Sequence, residues 1–246
     1  METFVQCQEA RLWVNISDTI NNNKPYICFC NGGPGVGDYL GEIDELLLPR
    51  FNIIRFEQRG CGRSTKDNQY SIETTLSDMD EIRKYFHIDS WYLLGHSWGA
   101  GIALFYALRY QQHSRGVVYI SGIGVQNDND WTEEFNRNSH NLAEPEIQVS
   151  EDEINFDVTN AGLCSFNKFI QAPMLLKELS TLHLPVLAIC GNLDIRPLWP
   201  VTQLANLLPC CTQIILNDCN HFLWRQKPLQ LRDEVIGWLD SINNLT

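Results

Sequence analysis

The stretch Gly95-His-Ser-Trp-Gly99 decides the fold, because it has the pattern of a sharp turn between a strand and a helix. The apolar run Trp91–Leu94 comes directly before it, and the apolar run Trp98–Tyr110 begins inside it. A serine in such a turn sits on strained backbone with its hydroxyl clear of the chain, and the flanking glycines leave room for neighbouring elements. The following helix would point its amino end at the serine, which favours developing negative charge. We therefore predict that Ser97 is a nucleophile; the alternative is a chance match on an ordinary turn.

Outward from this turn, short β-rich runs alternate with helical patterns along most of the chain. The runs are apolar at consecutive positions, which is typical of strands covered on both faces of a parallel sheet. This alternation predicts a doubly wound α/β fold around a mostly parallel, eight-stranded sheet. The predicted strands are Leu12–Ile16, Tyr26–Cys30, Asn52–Phe56, Trp91–Leu94, Val117–Ser121, Val186–Cys190 and Ile214–Leu216, with a further strand near Phe4. The predicted helices are Ser71–Phe86, Trp98–Tyr110 and Leu229–Leu239.

Residues 124–170 break the alternation, because they are mostly polar and contain no clear strand. Insertions of this length are tolerated at the carboxyl ends of strands, where binding and catalytic sites form. We therefore predict a core of residues 1–123 and 171–246, with residues 124–170 inserted as a lid over the site. The alternative is a surface excursion with no role.

Composition excludes several classes of function. The chain has 246 residues and a net charge of −12, so phosphate backbones repel it and we expect no nucleic-acid binding. It contains no run of about 18 apolar residues, so we expect no membrane association. Its first residues lack a basic region followed by an apolar stretch, so we expect no signal peptide. The nine cysteines are odd in number and predict reduced thiols in a cytoplasmic protein.

A nucleophilic serine needs a histidine within hydrogen-bond reach and an acid behind that histidine. In sites built on a Gly-x-Ser-x-Gly turn, the acid and then the histidine follow the serine along the chain, on loops after strands. His221 lies in the turn after the last predicted strand, and Asp194 follows the penultimate one. Asp218 is the rival acid, but it shares the turn of His221 and is more simply structural. We predict His221 as the base and Asp194 as its orienting acid.

A second glycine-rich segment, Asn31-Gly-Gly-Pro-Gly35, follows the predicted strand Tyr26–Cys30. It lacks the Gly-Lys-Ser/Thr ending of a phosphate-binding loop, so we interpret it as a loop whose backbone amides face an oxyanion. The predicted donors are the N–H groups of Gly33 and Trp98, with Gly32 as the substitute for Gly33. No metal site is expected, because the spacing of the histidine and cysteines near the chain end fits no zinc pattern.

Three stretches together resemble the α/β-hydrolases, and in particular the prolyl iminopeptidase branch. They are Asn31-Gly-Gly-Pro-Gly35, Glu57-Gln-Arg-Gly-Cys-Gly-Arg-Ser64 and Gly95-His-Ser-Trp-Gly-Ala100. The resemblance implies the same set, with Ser97 as nucleophile, Asp194 as orienting acid and His221 as base. It also implies a hydrolase that needs no cofactor and acts by acyl transfer on a small-molecule or short-peptide substrate.

The chain departs from that family pattern at three positions. Asn31 stands where the family opens its glycine-rich loop with His, Glu57 where it usually has Asp, and His96 where it usually has Gly. Members of the branch are generally longer, and acidic residues of their cap hold the free amino group of the substrate. Here Glu133 and Glu134 in the lid could supply such a pocket, as could Glu144, Glu146, Glu151 and Glu153, while a solvated acidic face is the alternative for each.

Three functions remain open on this basis. The first is an aminopeptidase of the prolyl iminopeptidase type. The second is a carboxylesterase or lactonase with the same three side chains. The third is a non-catalytic α/β-hydrolase relative that serves as a binding protein. The sequence sets neither the acyl group, nor the leaving group, nor the oligomeric state.

Overall fold

The computed structural model describes residues 1–17, 20–21, 23–125, 129–140 and 153–243. The strands found in these residues are β1 Glu2–Cys7, β2 Ala10–Ile16, β3 Tyr26–Cys30, β4 Asn52–Phe56, β5 Trp91–His96, β6 Ser114–Ile120, β7 Val186–Gly191 and β8 Cys211–Leu216. The α-helices found in them are α1 Asp44–Leu47, α2 Ile72–Tyr85, α3 Trp98–Arg109, α4 Asn129–Ser139, α5 Phe156–Ile170, α6 Leu175–Ser180, α7 Trp199–Leu207, α8 Leu223–Gln226 and α9 Pro228–Asn243. A short 3-10 helix, Leu40–Ile43, precedes α1.

The strands form one sheet in the order β1-β2-β4-β3-β5-β6-β7-β8. β1 and β2 pair antiparallel, as do β2 and β4, and each remaining neighbouring pair is parallel. The predicted eight-stranded, mostly parallel sheet is therefore confirmed. β5, which leads into the turn at Ser97, lies between β3 and β6 in the interior of the sheet.

The consecutive apolar residues of the strands divide between the two faces of the sheet. Cys28 and Leu93 lie in one core cluster, which also contains residues of α2, α3 and α5. Ile27 and Tyr92, their neighbours along the strands, lie in the other cluster, which α1, α8 and α9 cover. Because successive side chains of a strand point to opposite faces, a sheet covered on both sides needs apolar residues at every position.

Two described helices, α4 and α5, lie within the predicted insertion, and neither was identified from its sequence pattern. α5 begins at an Asn155 cap, whose side chain accepts from the N–H groups of Asp157 and Val158. Phe166 on the same helix is buried and packs against Phe105 of α3, at 5.6 Å between ring centroids. The predicted lid boundaries at residues 124 and 170 remain a prediction, and residues 126–128 and 141–152 lie outside the described part of the chain. None of the helices that the structure describes is long and apolar enough to span a bilayer.

Candidate active site

The turn at Ser97 is fixed by close backbone contacts on both sides. A Cβ atom added to Gly95 would lie 2.1 Å from the carbonyl oxygen of Gly99. A Cβ added to Gly99 would lie 2.2 Å from the carbonyl oxygen of Cys30 at the end of β3. Ser97 itself has φ 57° and ψ −125°, a strained conformation for a residue with a side chain. Both glycines of the pattern are therefore required by sterics, as the sequence interpretation assumed.

The structure brings Asp194 and His221 into direct contact. The two side chains come from the loops after β7 and β8, and both are almost completely buried. Nδ1 of His221 lies 2.6 Å from Oδ2 of Asp194. Because a carboxylate only accepts, Nδ1 carries the proton and donates it to Asp194. The ring of His221 lies 4.4 Å, between centroids, from the ring of His96, the residue before Ser97.

Asp194 is held in its charged form. Burial acts to raise its pKa, but the proximity and hydrogen bond of His221 and the nearby charge of Arg196 outweigh it, so the pKa lies below its usual value. The second carboxylate oxygen, Oδ1, accepts from the backbone N–H of Arg196 at 2.9 Å and from its Nη1 at 3.3 Å. Asp194 can therefore fix the orientation of His221 and stabilise a positive charge on it.

The loops that carry the acid and the histidine are packed against each other through their backbones. A Cβ added to Gly191 at the end of β7 would lie 2.1 Å from the carbonyl oxygen of Cys219. The same carbonyl accepts the N–H of Leu193 at 2.8 Å. This close approach explains the glycine at position 191 and sets the distance between the two side chains. Asp218, the rival acid, lies exposed in the turn before His221, at φ 52°.

The glycine-rich loop lies directly against the serine. A Cβ on Gly32 would be 3.1 Å from Cβ of Ser97. The N–H of Gly32 already donates to the hydroxyl of Tyr39 at 2.8 Å, so Gly33 remains the better candidate for an oxyanion donor. Trp98 is the first residue of α3, where a backbone N–H has no acceptor within the helix. Both predicted donor residues therefore lie on segments that flank Ser97.

Two residues that the sequence interpretation did not assign to the site, Tyr39 and His96, lie within it. The hydroxyl of Tyr39 is 2.6 Å from Nδ1 of His96, and Nε2 of His96 is 3.1 Å from the backbone carbonyl oxygen of His221. His96 was recognised only as a departure from the family pattern, and no sequence signal singled out Tyr39. Burial lowers the pKa of His96 well below its usual value, so its ring is neutral.

The inserted helices contact the loops around Ser97 and Asp194. Thr159 of α5 donates to the carbonyl of Pro34 in the glycine-rich loop at 2.8 Å. Asn138 of α4 donates to the carbonyl of Ile195 at 3.1 Å, next to Asp194. On α4, Glu133 is exposed and Glu134 half-buried, while Glu153 before α5 is exposed; Glu144, Glu146 and Glu151 lie outside the described residues.

The other polar clusters of the sequence have structural partners. Arg59 donates to both carboxylate oxygens of Asp78 on α2 and to Asp67, and Arg63 pairs with Glu57 at 2.7 Å. These contacts tie the segment after β4 to its surroundings. Across the described ranges, no group of three His, Cys, Asp or Glu side chains has an arrangement that could hold a metal ion.

Comparison with known proteins gives consistent results. A family model described as the alpha/beta hydrolase fold matches residues 25–144. Over 98 residues the chain is 43% identical to the proline iminopeptidase of Saccharolobus solfataricus, a stretch that covers 38% of this chain and 32% of that protein. The crystal structure of a proline iminopeptidase from Mycobacterium smegmatis superposes with a TM-score of 0.77 at 16% identity, covering 98% of each chain. The enol-lactonase from Burkholderia xenovorans LB400 superposes with a TM-score of 0.76 at 17% identity, covering 97% of this chain and 100% of that one.

The similarities to known proteins differ in how much of each sequence they cover. The chain spans only 31% to 48% of the length of these curated relatives, for example 48% of a proline iminopeptidase from Clostridioides difficile. The family model ends at residue 144, before Asp194 and His221. The solved structures are similar over the whole chain, but at identities that establish the fold alone. The chain therefore has the α/β-hydrolase fold and has sequence relatives among the proline iminopeptidases.

Proposed function

We propose that this protein is a serine hydrolase that cleaves an amide or ester bond by acyl transfer. His221 takes the proton of Ser97, whose oxygen attacks the carbonyl carbon of the substrate. Asp194 holds the ring of His221 and stabilises its positive charge, and the N–H groups of Gly33 and Trp98 stabilise the oxyanion. His221 then protonates the leaving group, and water releases the acid. This acyl transfer needs no cofactor.

The observation that carries this proposal is the arrangement around residue 97. A serine on strained backbone follows a histidine whose ring contacts His221, and Nδ1 of His221 is bonded to a buried, ionised Asp194. In the neutral ring, this bond leaves the lone pair on Nε2, the nitrogen that would accept a proton from an alcohol. Such a set supports catalysis over a purely structural role for the turn.

For the substrate, we propose an amino-terminal prolyl amide or short peptide. The support is sequence similarity to the proline iminopeptidases, which reaches 43% identity over 98 residues. The exposed or half-buried acids Glu133 and Glu134 of α4 are our candidates for binding the substrate amine, because α4 lies beside the loop of Asp194. A small ester or lactone is the second candidate, supported by the superposition on an enol-lactonase over the whole length of that chain.

The setting we propose is the cytoplasm. All nine cysteines are free thiols, and six of them are buried. This is the state expected of thiols in a reducing compartment. The acidic net charge of −12 also argues against nucleic acid as a partner.

Covalent labelling with a fluorophosphonate tests the proposed nucleophile. We expect the wild-type protein to gain the mass of one phosphonyl group, and Ser97→Ala to gain none while keeping its thermal melting midpoint. Ser180→Ala is the matched control, because Ser180 is exposed on α6 and should leave the labelling unchanged. A wild-type protein that resists the reagent, or a Ser97→Ala variant that still labels and turns over, contradicts the proposal and favours a binding protein or another site.

Parallel turnover assays separate the substrate classes. We expect hydrolysis of proline 2-naphthylamide and none of its N-acetylated form, because the acetyl group removes the amine that an acidic pocket would bind. Turnover of p-nitrophenyl butyrate alone, with no amide cleavage, rejects the peptidase and supports the esterase.

A further inference from the structure

We propose that Tyr39 and His96 are positioning residues, which hold the glycine-rich loop and the loop of His221 at a fixed separation through a partly buried chain of three hydrogen bonds. This inference rests on the proposed acyl transfer and extends it. The chain runs from the N–H of Gly32 to the hydroxyl of Tyr39, from that hydroxyl to Nδ1 of His96, and from Nε2 of His96 to the carbonyl oxygen of His221.

The two ends of the chain determine the direction of every hydrogen bond in it. The carbonyl of His221 can only accept, so Nε2 of His96 carries the hydrogen and donates at 3.1 Å. In the neutral ring, Nδ1 of His96 is then an acceptor and takes the hydrogen of the Tyr39 hydroxyl at 2.6 Å. The oxygen of Tyr39 accepts the N–H of Gly32 at 2.8 Å. Each group thus has one role, and no alternative tautomer of His96 satisfies all three contacts.

The three hydrogen bonds keep the same donors and acceptors across the pH range in which a histidine-dependent hydrolase works. Burial lowers the pKa of His96 well below its usual value, and burial raises that of Tyr39. Neither group changes charge near neutral pH, so neither acts as a proton carrier. In low-dielectric surroundings such hydrogen bonds are strengthened, and a broken one leaves a buried group unsatisfied.

Aromatic packing holds the two side chains against the loop of His221. Tyr39 stacks on Trp224 at 6.3 Å between ring centroids, and the ring of His96 meets Trp224 edge-on at 4.8 Å. The ring of His96 also lies 4.4 Å from that of His221. Tyr39, His96 and Trp224 therefore fill the space between the glycine-rich loop and the loop that carries the proposed base.

These hydrogen bonds also affect the proposed reaction, because they determine which backbone N–H group of the glycine-rich loop can face the substrate. Tyr39 occupies the N–H of Gly32, so the loop is held with the N–H of Gly33 as the remaining donor. His96 fixes the backbone of His221, while Asp194 fixes its ring. A misplacement of about 1 Å in such groups costs up to about a hundredfold in rate. His96 stands where the family that the sequence resembles usually has glycine. This protein therefore holds the two loops by side-chain contacts that a glycine could not make.

Three substitutions separate the two arms of the chain. Tyr39→Phe removes the contacts to Gly32 and His96. His96→Gln keeps a donor near the position of Nε2, and so keeps the arm to His221. His96→Asn keeps an acceptor near the position of Nδ1, and so keeps the arm to Tyr39. Tyr85→Phe is the matched control, because Tyr85 is 52% exposed.

The experiment counts active sites by fluorophosphonate labelling and then measures kcat, KM and the pH profile of kcat/KM per labelled site. For Tyr39→Phe and His96→Gln we expect kcat to fall about ten- to a hundredfold with KM nearly unchanged. The double variant should lose no more than the worse single one, because both break the same arm. For His96→Asn we expect a fall in kcat together with a shifted acid limb of the profile, because the backbone of the base moves. Tyr85→Phe should match the wild type.

The outcomes distinguish this inference from the proposed function. If the variants label less but turn over normally per labelled site, with an unshifted profile, the two residues only stabilise the fold and the inference is wrong. If the losses of Tyr39→Phe and His96→Gln add in the double variant, they do not act through one chain and the inference is also wrong. If the wild type is not labelled at Ser97, the proposed function itself fails and the inference falls with it.

Discussion

The turn at Ser97 and the helices α4 and α5 of the predicted insertion contact the rest of the protein in different ways. At the turn, backbone atoms of Gly95, Gly99 and Cys30 approach so closely that a single added Cβ would overlap a carbonyl oxygen. α4 and α5 reach the core loops through side-chain hydrogen bonds of Asn138 and Thr159, joined by one backbone hydrogen bond from Asn155 to Gly35 at 2.8 Å. We therefore expect substitutions at the turn to cost more stability than substitutions at the contacts of α4 and α5.

The largest effect on activity should come from Asp194. In Asp194→Asn the amide can donate to Nδ1 of His221 and so favours the wrong tautomer, in which Nε2 carries the hydrogen. We expect kcat to fall by about 10⁴-fold, as for the equivalent change in other serine hydrolases with this arrangement. Steady-state kinetics at neutral pH give the measurement. Asp218→Asn is the control, because Asp218 is exposed in the neighbouring turn; equal losses in both variants would reverse the assignment of the acid.

The next largest effect should be on stability, in Gly99→Ala. The new methyl group would lie about 2.2 Å from the carbonyl of Cys30, so α3 or β3 must move. We expect a loss of about 3 kcal/mol or more in the free energy of unfolding, measured by urea denaturation. The same substitution at Gly237 is the control, since nothing lies within 4 Å of a Cβ built there. Within α9 it should stabilise the protein by about 0.5–1 kcal/mol. A Gly99→Ala protein as stable as the wild type would show that the turn tolerates other geometries.

Most of the fold and part of the candidate site could be predicted from the sequence. The strands were identified because residues such as Cys28 and Ile27 are apolar on both faces of the sheet, which leaves an uninterrupted apolar run. The contact between Asp194 and His221 was anticipated because the acid and then the histidine were expected to follow the serine along the chain, each on a loop after a strand. The same reasoning does not identify Tyr39, because its contact with His96 depends on the path of an irregular loop after Gly35.

The inserted helices show a second limit of the sequence. α4 was missed because its residues are mostly polar, whereas in α5 the four-residue spacing of Val158, Gly162 and Phe166 is a helical pattern that the sequence interpretation did not use. α5 buries only Val158, Gly162 and Phe166. Its position depends on tertiary contacts, for which its sequence carries no local signal.

A smaller effect is expected at the start of α5. Asn155 caps this helix and also donates to the carbonyl of Gly60 at 2.9 Å. Asn155→Ala should lower the free energy of unfolding by about 1–2 kcal/mol. Because α5 contacts the glycine-rich loop, we expect KM for the substrate to change more than the rate of fluorophosphonate labelling. A change in labelling rate alone, with KM unaltered, would contradict the assignment of this region to substrate binding.

The smallest effect should come from an exposed ion pair between α8 and the 3-10 helix that precedes α1. Glu42 accepts from Trp224 at 2.8 Å and pairs with Arg225, whose hydrogen bonds lower the pKa of Glu42. A lowered pKa in the folded state contributes stability above the unfolded-state value of about 4.3, and this contribution is lost as the pH falls through the folded value. Glu42→Gln should therefore cost less than about 1 kcal/mol at pH 7, and less at pH 3 than at pH 7. Thermal melts at both pH values test this, and a larger loss at pH 3 would contradict it.

The most direct test of the central claim is a crystal structure of the protein after reaction with a fluorophosphonate. We expect phosphorus bonded to Oγ of Ser97, with Nε2 of His221 within hydrogen-bond distance of the adduct. The phosphoryl oxygen should accept from the N–H groups of Gly33 and Trp98. An adduct on another side chain, or a phosphoryl oxygen turned away from both amides, would contradict the account.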